Sequence, residues 1–163
     1  GYARASGRPG IVITQGGPGG PNVAAGLADG YLAHSPIISL TGLTSPAQSS
    51  KDNYQGVTNN YSNVTGFSAN VERTDRIPDL LNQAFREATS GAGGPVHLAF
   101  LGQAETGSAD LPEPLIVDRF THVPAFRPRP EPEAVQEAAR RLATAQRPVI
   151  VAGGGVTGLR RPT

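Results

Sequence analysis

The chain has 163 residues, 37% hydrophobic and 17% charged, with a formal net charge of +1. That balance lacks the basic excess of an electrostatic nucleic-acid binder, and no apolar run nears the ~20 residues of a membrane span. With no Cys, disulfides, thiolate metal sites and cysteine nucleophiles are excluded together.

The 21 Gly and 15 Pro bring the composition close to low complexity, so their placement decides whether the chain folds. The 13 arginines to one lysine (Lys51) are scattered and read as coding bias rather than function. A first β-branched run, Ile11–Thr14, is followed at once by Gly16, Gly17, Pro18, Gly19, Gly20 and Pro21. Asn22 to about Ala33 then reads as a helix, with Val23, Leu27 and Tyr31 repeating every four residues. Gly26 and Gly30 weaken that helix and point to a close approach to another element. Pro36 closes the segment, and Ile37–Thr41 is a second strand. Residues 43–62 are polar and read as a long loop, with Val64–Ala69 as a third strand.

Thr74 or Asp75 is placed to cap the next helix, with Pro78 tolerated in its first turn. Ile77, Leu80, Leu81, Ala84, Phe85 and Ala88 fall on one helical face, and Gly91, Gly93 and Gly94 end it. Pro95–Leu101 is a fourth strand. Strands alternating with helices predict an α/β fold, a parallel sheet with helices on both faces. From Pro112 to Pro132 six prolines make an extended tether. A new unit follows: a helix from Pro132, striped by Val135, Ala138, Ala139 and Leu142, then a strand at Val149–Ala152 and the run Gly153-Gly154-Gly155. The division is therefore 1–102, a linker at 103–131, and the beginning of a second domain at 132–163.

The sharpest local signal is the strand, glycine-rich turn and helix around Gly16–Asn22. Such a turn lets a ligand approach the backbone, beside the unpaired N–H groups of a helix start. No Gly-Lys-Ser/Thr follows, so it is not a Walker A loop, and the G-x-G-x-x-G spacing fails. On residues alone, a tight turn without a ligand is an equal reading. Asn22 by itself reads as a helix cap, and Gln55 as exposed. His34 sits at a helix C-terminus, where the dipole favours it. His97 reads as packed and hydrogen-bonded within its strand. No His has a metal partner at ligand spacing.

Several collinear segments go further. Gly1-Tyr2-Ala3-Arg4-Ala5-Ser6-Gly7, Gly17-Pro18-Gly19-Gly20-Pro21-Asn22, Ala28-Asp29-Gly30-Tyr31, Pro36–Gly42, Asp52-Asn53-Tyr54-Gln55, Gly94-Pro95-Val96-His97-Leu98 and Pro148–Val156 resemble successive motifs of thiamine-diphosphate-dependent enzymes. The likeness is to the acetolactate synthase, pyruvate oxidase and benzoylformate decarboxylase type. It implies an internal fragment: most of the pyrimidine domain (1–102, incomplete), the linker and the start of the central Rossmann-like domain.

The resemblance implies that Gly17, Pro18, Gly19 and Asn22 line the aminopyrimidine side of thiamine diphosphate, with Gln55 at the side where substrate reacts. It implies a catalytic Glu upstream of Gly1, Mg²⁺ held through another domain, and no metal ligand here. FAD is allowed in the central domain. The implied activity is 2-oxo-acid decarboxylation or carboligation, with a second subunit of the same enzyme and a small 2-oxo acid as partners. No catalysis is expected of this segment by itself. Gly16, Leu43 and Gly56, and the lack of a Lys after Thr65, depart from the acetolactate synthase pattern and leave the reaction open between carboligation and decarboxylation. A free-standing nucleotide-binding module and an oligomerisation domain built on the Gly26/Gly30 helix are the alternatives. A cytoplasmic location without nucleic acid or membrane is expected, since no disulfide and no signal-peptide pattern speaks for secretion.

Overall fold

A computed structural model describes residues 1–15, 17–43 and 61–156. They form two units, Gly1–Ala125 and, beginning at Phe126, a second shorter one.

The first unit is built on four parallel strands, β1 (Gly10–Thr14), β2 (Ile37–Leu43), β3 (Phe67–Val71) and β4 (Pro95–Leu101), in the order β1-β2-β4-β3. Helix α1 (Tyr2–Ser6) precedes the sheet and ends at Gly7 in the left-handed region, φ 68°. Helix α2 (Gly19–Leu32) joins β1 to β2, and α3 (Ile77–Thr89) joins β3 to β4. A short α4 (Gly102–Thr106) follows β4.

The register sorts the side chains by face. Ile38 pairs with Val96, Leu40 with Leu98 and Phe67 with Val96. Because successive strand residues alternate faces, Ile38, Leu40, Val71, Val96 and Leu98 share one face, and α3 covers it with Ala84 and Ala88. Ile38, Val71, Val96 and Leu98 are almost wholly buried, each stabilising by ~1.5–3 kcal/mol. The opposite face carries Ile37, Ser39, Thr41 and His97. There α2 lies close: a Cβ on Gly30 would meet side-chain atoms of Ile37 and Pro95. Helices therefore cover both faces, as the apolar strands predict.

On the α3 face of β1, however, Ile11 and Ile13 are 58% and 74% exposed. No described element packs over them, although their pattern reads as core.

The elements depart from sequence expectation at four places. Helix α2 starts at Gly19 rather than Asn22, because Pro18 and Pro21 suit a first turn whose N–H groups need no partner. Strand β3 runs Phe67–Val71 rather than Val64–Ala69. The earlier residues turn, with the Val64 N–H and the Thr65 hydroxyl both donating to the Tyr61 carbonyl (3.0 and 2.7 Å). Neither Thr74 nor Asp75 caps α3: the two lie in a 3-10 turn, and the Thr74 hydroxyl donates to the Ala104 carbonyl (3.1 Å). Val149–Ala152 pairs with no strand among the described residues. Val149, Ile150 and Val151 are 76–90% exposed, since a strand has no ladder without a neighbour.

The proline-rich stretch is not a tether throughout. The Asn82 amide donates to the Leu115 carbonyl (2.6 Å) and accepts from the Val117 N–H (3.2 Å). The Ala125 N–H donates to Thr89 and the Val123 N–H to Gly7 (3.0 and 2.9 Å). Residues 115–125 thus strap the first unit. The second unit contains α5 (Pro132–Thr144), which begins at the proline as expected and carries a surface ion-pair set of Glu137 with Arg140 and Arg141.

Candidate functional site

Parallel strands bring their C-terminal ends, Thr14, Leu43 and Leu101, to one edge of the sheet, the usual ligand edge of open α/β folds. The glycine-rich turn leaves the sheet there, directly after Thr14. Pro18 is the N-cap residue of α2 and makes no side-chain cap. Gly17 and Gly19 are half-buried in the turn, Gly20 is buried and Pro18 is exposed.

Close approach explains Gly19: a Cβ there would lie 3.1 Å from the Thr14 Cβ and 3.5 Å from its Oγ1. The Thr14 Oγ1 is itself buried and has no partner among the described residues. Asn22 lies inside the first turn of α2, exposed, and is not the cap that its residue type suggests. Gly17, Pro18, Gly19 and Asn22 are thus brought together at the C-terminal edge of the sheet. Gln55 lies outside the described residues.

The glycines of α2 have different roles. Gly26 has nothing within 4 Å of a built Cβ, whereas Gly30 is filled from within by Ile37 and Pro95. Gly30 therefore packs inside the unit and does not open toward a second copy. His34 follows the helix C-cap in the left-handed region, φ 49°, with the Ser35 N–H donating to the Gly30 carbonyl (2.8 Å).

A polar cluster lies on the α2 face of the sheet. His97 is fully buried: its Nε2 is 2.9 Å from the Thr41 Oγ1 and its Nδ1 is 3.2 Å from the Ser68 Oγ. The Tyr61 ring packs on it, centroids 4.0 Å apart and tilted by 47°. Burial pushes the imidazole down to about 4, so it is neutral near pH 7. Burial likewise raises the Tyr61 phenol. The Tyr61 and Ser39 hydroxyls are buried without partners among the described residues. His97 as a packed, bonded strand residue agrees with the sequence reading. Tyr61 was not foreseen, because a tyrosine at the end of a polar segment carries no burial signal of its own.

Among the described residues no three His, Asp or Glu side chains gather as a metal site, and no helix is long and apolar enough to cross a membrane.

Comparison with known proteins bears on this edge. Residues 1–64 match the model of the thiamine pyrophosphate enzyme, N-terminal TPP binding domain. The chain is 34% identical to a probable acetolactate synthase large subunit of Methanocaldococcus jannaschii, over 96% of this chain and 27% of that protein. It is 36% identical to the acetolactate synthase isozyme 2 large subunit of Escherichia coli, over 96% and 28%. To the chloroplastic acetolactate synthase of Arabidopsis thaliana it is 30% identical, over 95% and 23%. The chain spans about a quarter of the length of these curated relatives.

Proposed function

We propose, from the match of residues 1–64 to the thiamine pyrophosphate enzyme N-terminal TPP binding domain, that the chain is the aminopyrimidine-binding part of a thiamine-diphosphate-dependent 2-oxo-acid decarboxylase or carboligase of the acetolactate synthase type. The observation that carries this reading is the turn of Gly17, Pro18 and Gly19 at the C-terminal edge of β1, inside the matched residues and beside the uncapped start of α2.

The residues present fit a flat heteroaromatic ring. Gly17, Gly19 and Gly20 put no side chain over the turn, Pro18 offers an exposed apolar ring, and Asn22 an exposed amide. No charged side chain stands between Thr14 and Asn22, so the turn suits a neutral ring better than a phosphate. In this reading Pro18 packs against the ring, Asn22 hydrogen-bonds its polar edge and Gln55 stands on the substrate side. The chemistry the cofactor supplies when bound is a carbon nucleophile for the carbonyl of a 2-oxo acid. The role of this chain is to bind, orient and exclude water.

Mg²⁺ and the diphosphate are assigned to residues outside this segment. Gly153–Gly155 is where a flavin would be sought. A second subunit of the same enzyme is the proposed partner across the cofactor. The test is to supply the whole protein with thiamine diphosphate and Mg²⁺ and follow pyruvate consumption and acetolactate formation. Cofactor-dependent turnover supports the reading; no cofactor binding overturns it.

A further inference from the structure

The buried hydroxyls of Thr14, Ser39, Tyr61 and Ser90 have no partner among the described residues. Ser39 lies in the middle of β2, opposite His97 in the register, and Tyr61 packs on the same imidazole. Ser90 is the C-cap residue of α3. Of these, Thr14 alone ends a strand at the C-terminal edge of the sheet, where the glycine-rich turn begins.

Thr14 stands opposite Thr41 in the β1–β2 register. Cross-strand partners share a face, so both side chains lie on the α2 side. Their hydroxyls fare differently. The Thr41 Oγ1 is 2.9 Å from the His97 Nε2, whereas the Thr14 Oγ1 meets neither donor nor acceptor among the described residues. It sits beside the start of α2, which opens with no side-chain cap. A Cβ on Gly19 would lie 3.1 Å from the Thr14 Cβ and 3.6 Å from the Gln15 Cβ. Any side chain at position 19 would therefore press on Thr14.

An unpaired hydroxyl shut away from water costs stability, and native proteins leave few of them. Valine has nearly the same shape, suits a strand equally well and carries no such cost. A threonine at this place points to a partner that arrives from outside the fold.

We propose that Thr14 is a further cofactor-binding residue: its hydroxyl pairs with the polar edge of the heteroaromatic ring held by the glycine turn. A hydroxyl both donates and accepts, so it complements a ring nitrogen or an exocyclic amine equally. The hydroxyl is buried, so the turn shifts to admit the ring, and Gly17 and Gly19 give the backbone that freedom. Pro18 and Asn22 are exposed; Thr14 adds a buried polar contact beneath them. This inference rests on the proposed thiamine-diphosphate reading of the turn.

The experiment uses the whole protein, with Thr14→Val to remove the hydroxyl at nearly constant shape and Thr14→Ser to keep it. Calorimetric titration with thiamine diphosphate in the presence of Mg²⁺ is paired with thermal melts, with and without the cofactor. Thr14→Val is expected to bind about fivefold or more weakly, with an equal or higher midpoint when no cofactor is added. Thr14→Ser should stay within about twofold of the unsubstituted affinity. The rise in midpoint on adding cofactor should be smaller for Thr14→Val than for the other two proteins.

Equal affinity of Thr14→Val and the unsubstituted protein overturns the role of Thr14 and leaves the proposed function standing. A midpoint lowered in Thr14→Val without cofactor also overturns it, because the hydroxyl then has its partner within the protein. So does an affinity loss in Thr14→Ser as large as in Thr14→Val, which assigns the effect to shape. Failure of the unsubstituted protein to bind thiamine diphosphate overturns the proposed function, and this inference with it.

Discussion

Gly30 of α2 lies directly against Pro95, the first residue of β4: a Cβ built on Gly30 would sit 3.1 Å from the Pro95 Cγ and 2.6 Å from the Ile37 Cδ1. Gly26, one turn earlier, has open space. Replacing Gly by Ala in a helix gains ~1 kcal/mol, whereas overpacking a filled contact costs ~1–3 kcal/mol. Gly26→Ala should therefore stabilise by up to about 1 kcal/mol, and Gly30→Ala should destabilise by about 1 kcal/mol. Urea midpoints of the two variants should move in opposite directions.

His97 gives stability a pH dependence of known sign. In the unfolded chain the imidazole takes up a proton near its ordinary 6.5, whereas in the fold burial pushes this down to about 4. Between those values the unfolded state binds more protons. The contribution is therefore complete above 6.5 and is lost as pH falls toward 4, amounting to roughly 3 kcal/mol across the window. Thermal melts from pH 7 to 4 should show this fall, and His97→Gln should flatten it.

His34 occupies a left-handed position that glycine commonly fills where a helix ends this way. The strain of a side chain there is ~1–2 kcal/mol, part of which glycine's freedom in the unfolded chain offsets. His34→Gly should raise stability by about 0.5–1 kcal/mol, read as a higher denaturation midpoint.

Asn82 ties the strap to α3 through both sides of its amide. Asn82→Ala strips partners from the Leu115 carbonyl and the Val117 N–H and should cost roughly 1–2 kcal/mol. Proteolysis near residues 115–117 should quicken before the rest of the unit yields.

Much of this architecture is legible in the residues. Pro95–Leu101 is apolar but for His97 and is one of the two inner strands, as such a run implies. The 77–88 stripe buries on the face its spacing requires, and the glycine turn lies between a strand and a helix as its composition implies. Other parts follow from tertiary contacts that periodicity does not encode. Ile11 and Ile13 have core character, but no described element covers them. Val149–Val151 has strand character without a pairing neighbour. Tyr61 is buried by His97, a residue 36 positions away in sequence. At the site, the glycines and Pro18 are marked by composition. The position of Asn22 inside α2 depends on a helix that starts among prolines, which reads as a loop.

The central claim is that the Gly17–Asn22 turn binds the aminopyrimidine side of thiamine diphosphate, and Asn22→Ala tests it most directly. Asn22 is exposed in a helix, where alanine does not impair folding. Calorimetric titration of the whole protein with thiamine diphosphate in the presence of Mg²⁺ should show affinity weakened about tenfold by Asn22→Ala, with an unchanged thermal midpoint. Equal affinity in the two proteins would contradict the assignment.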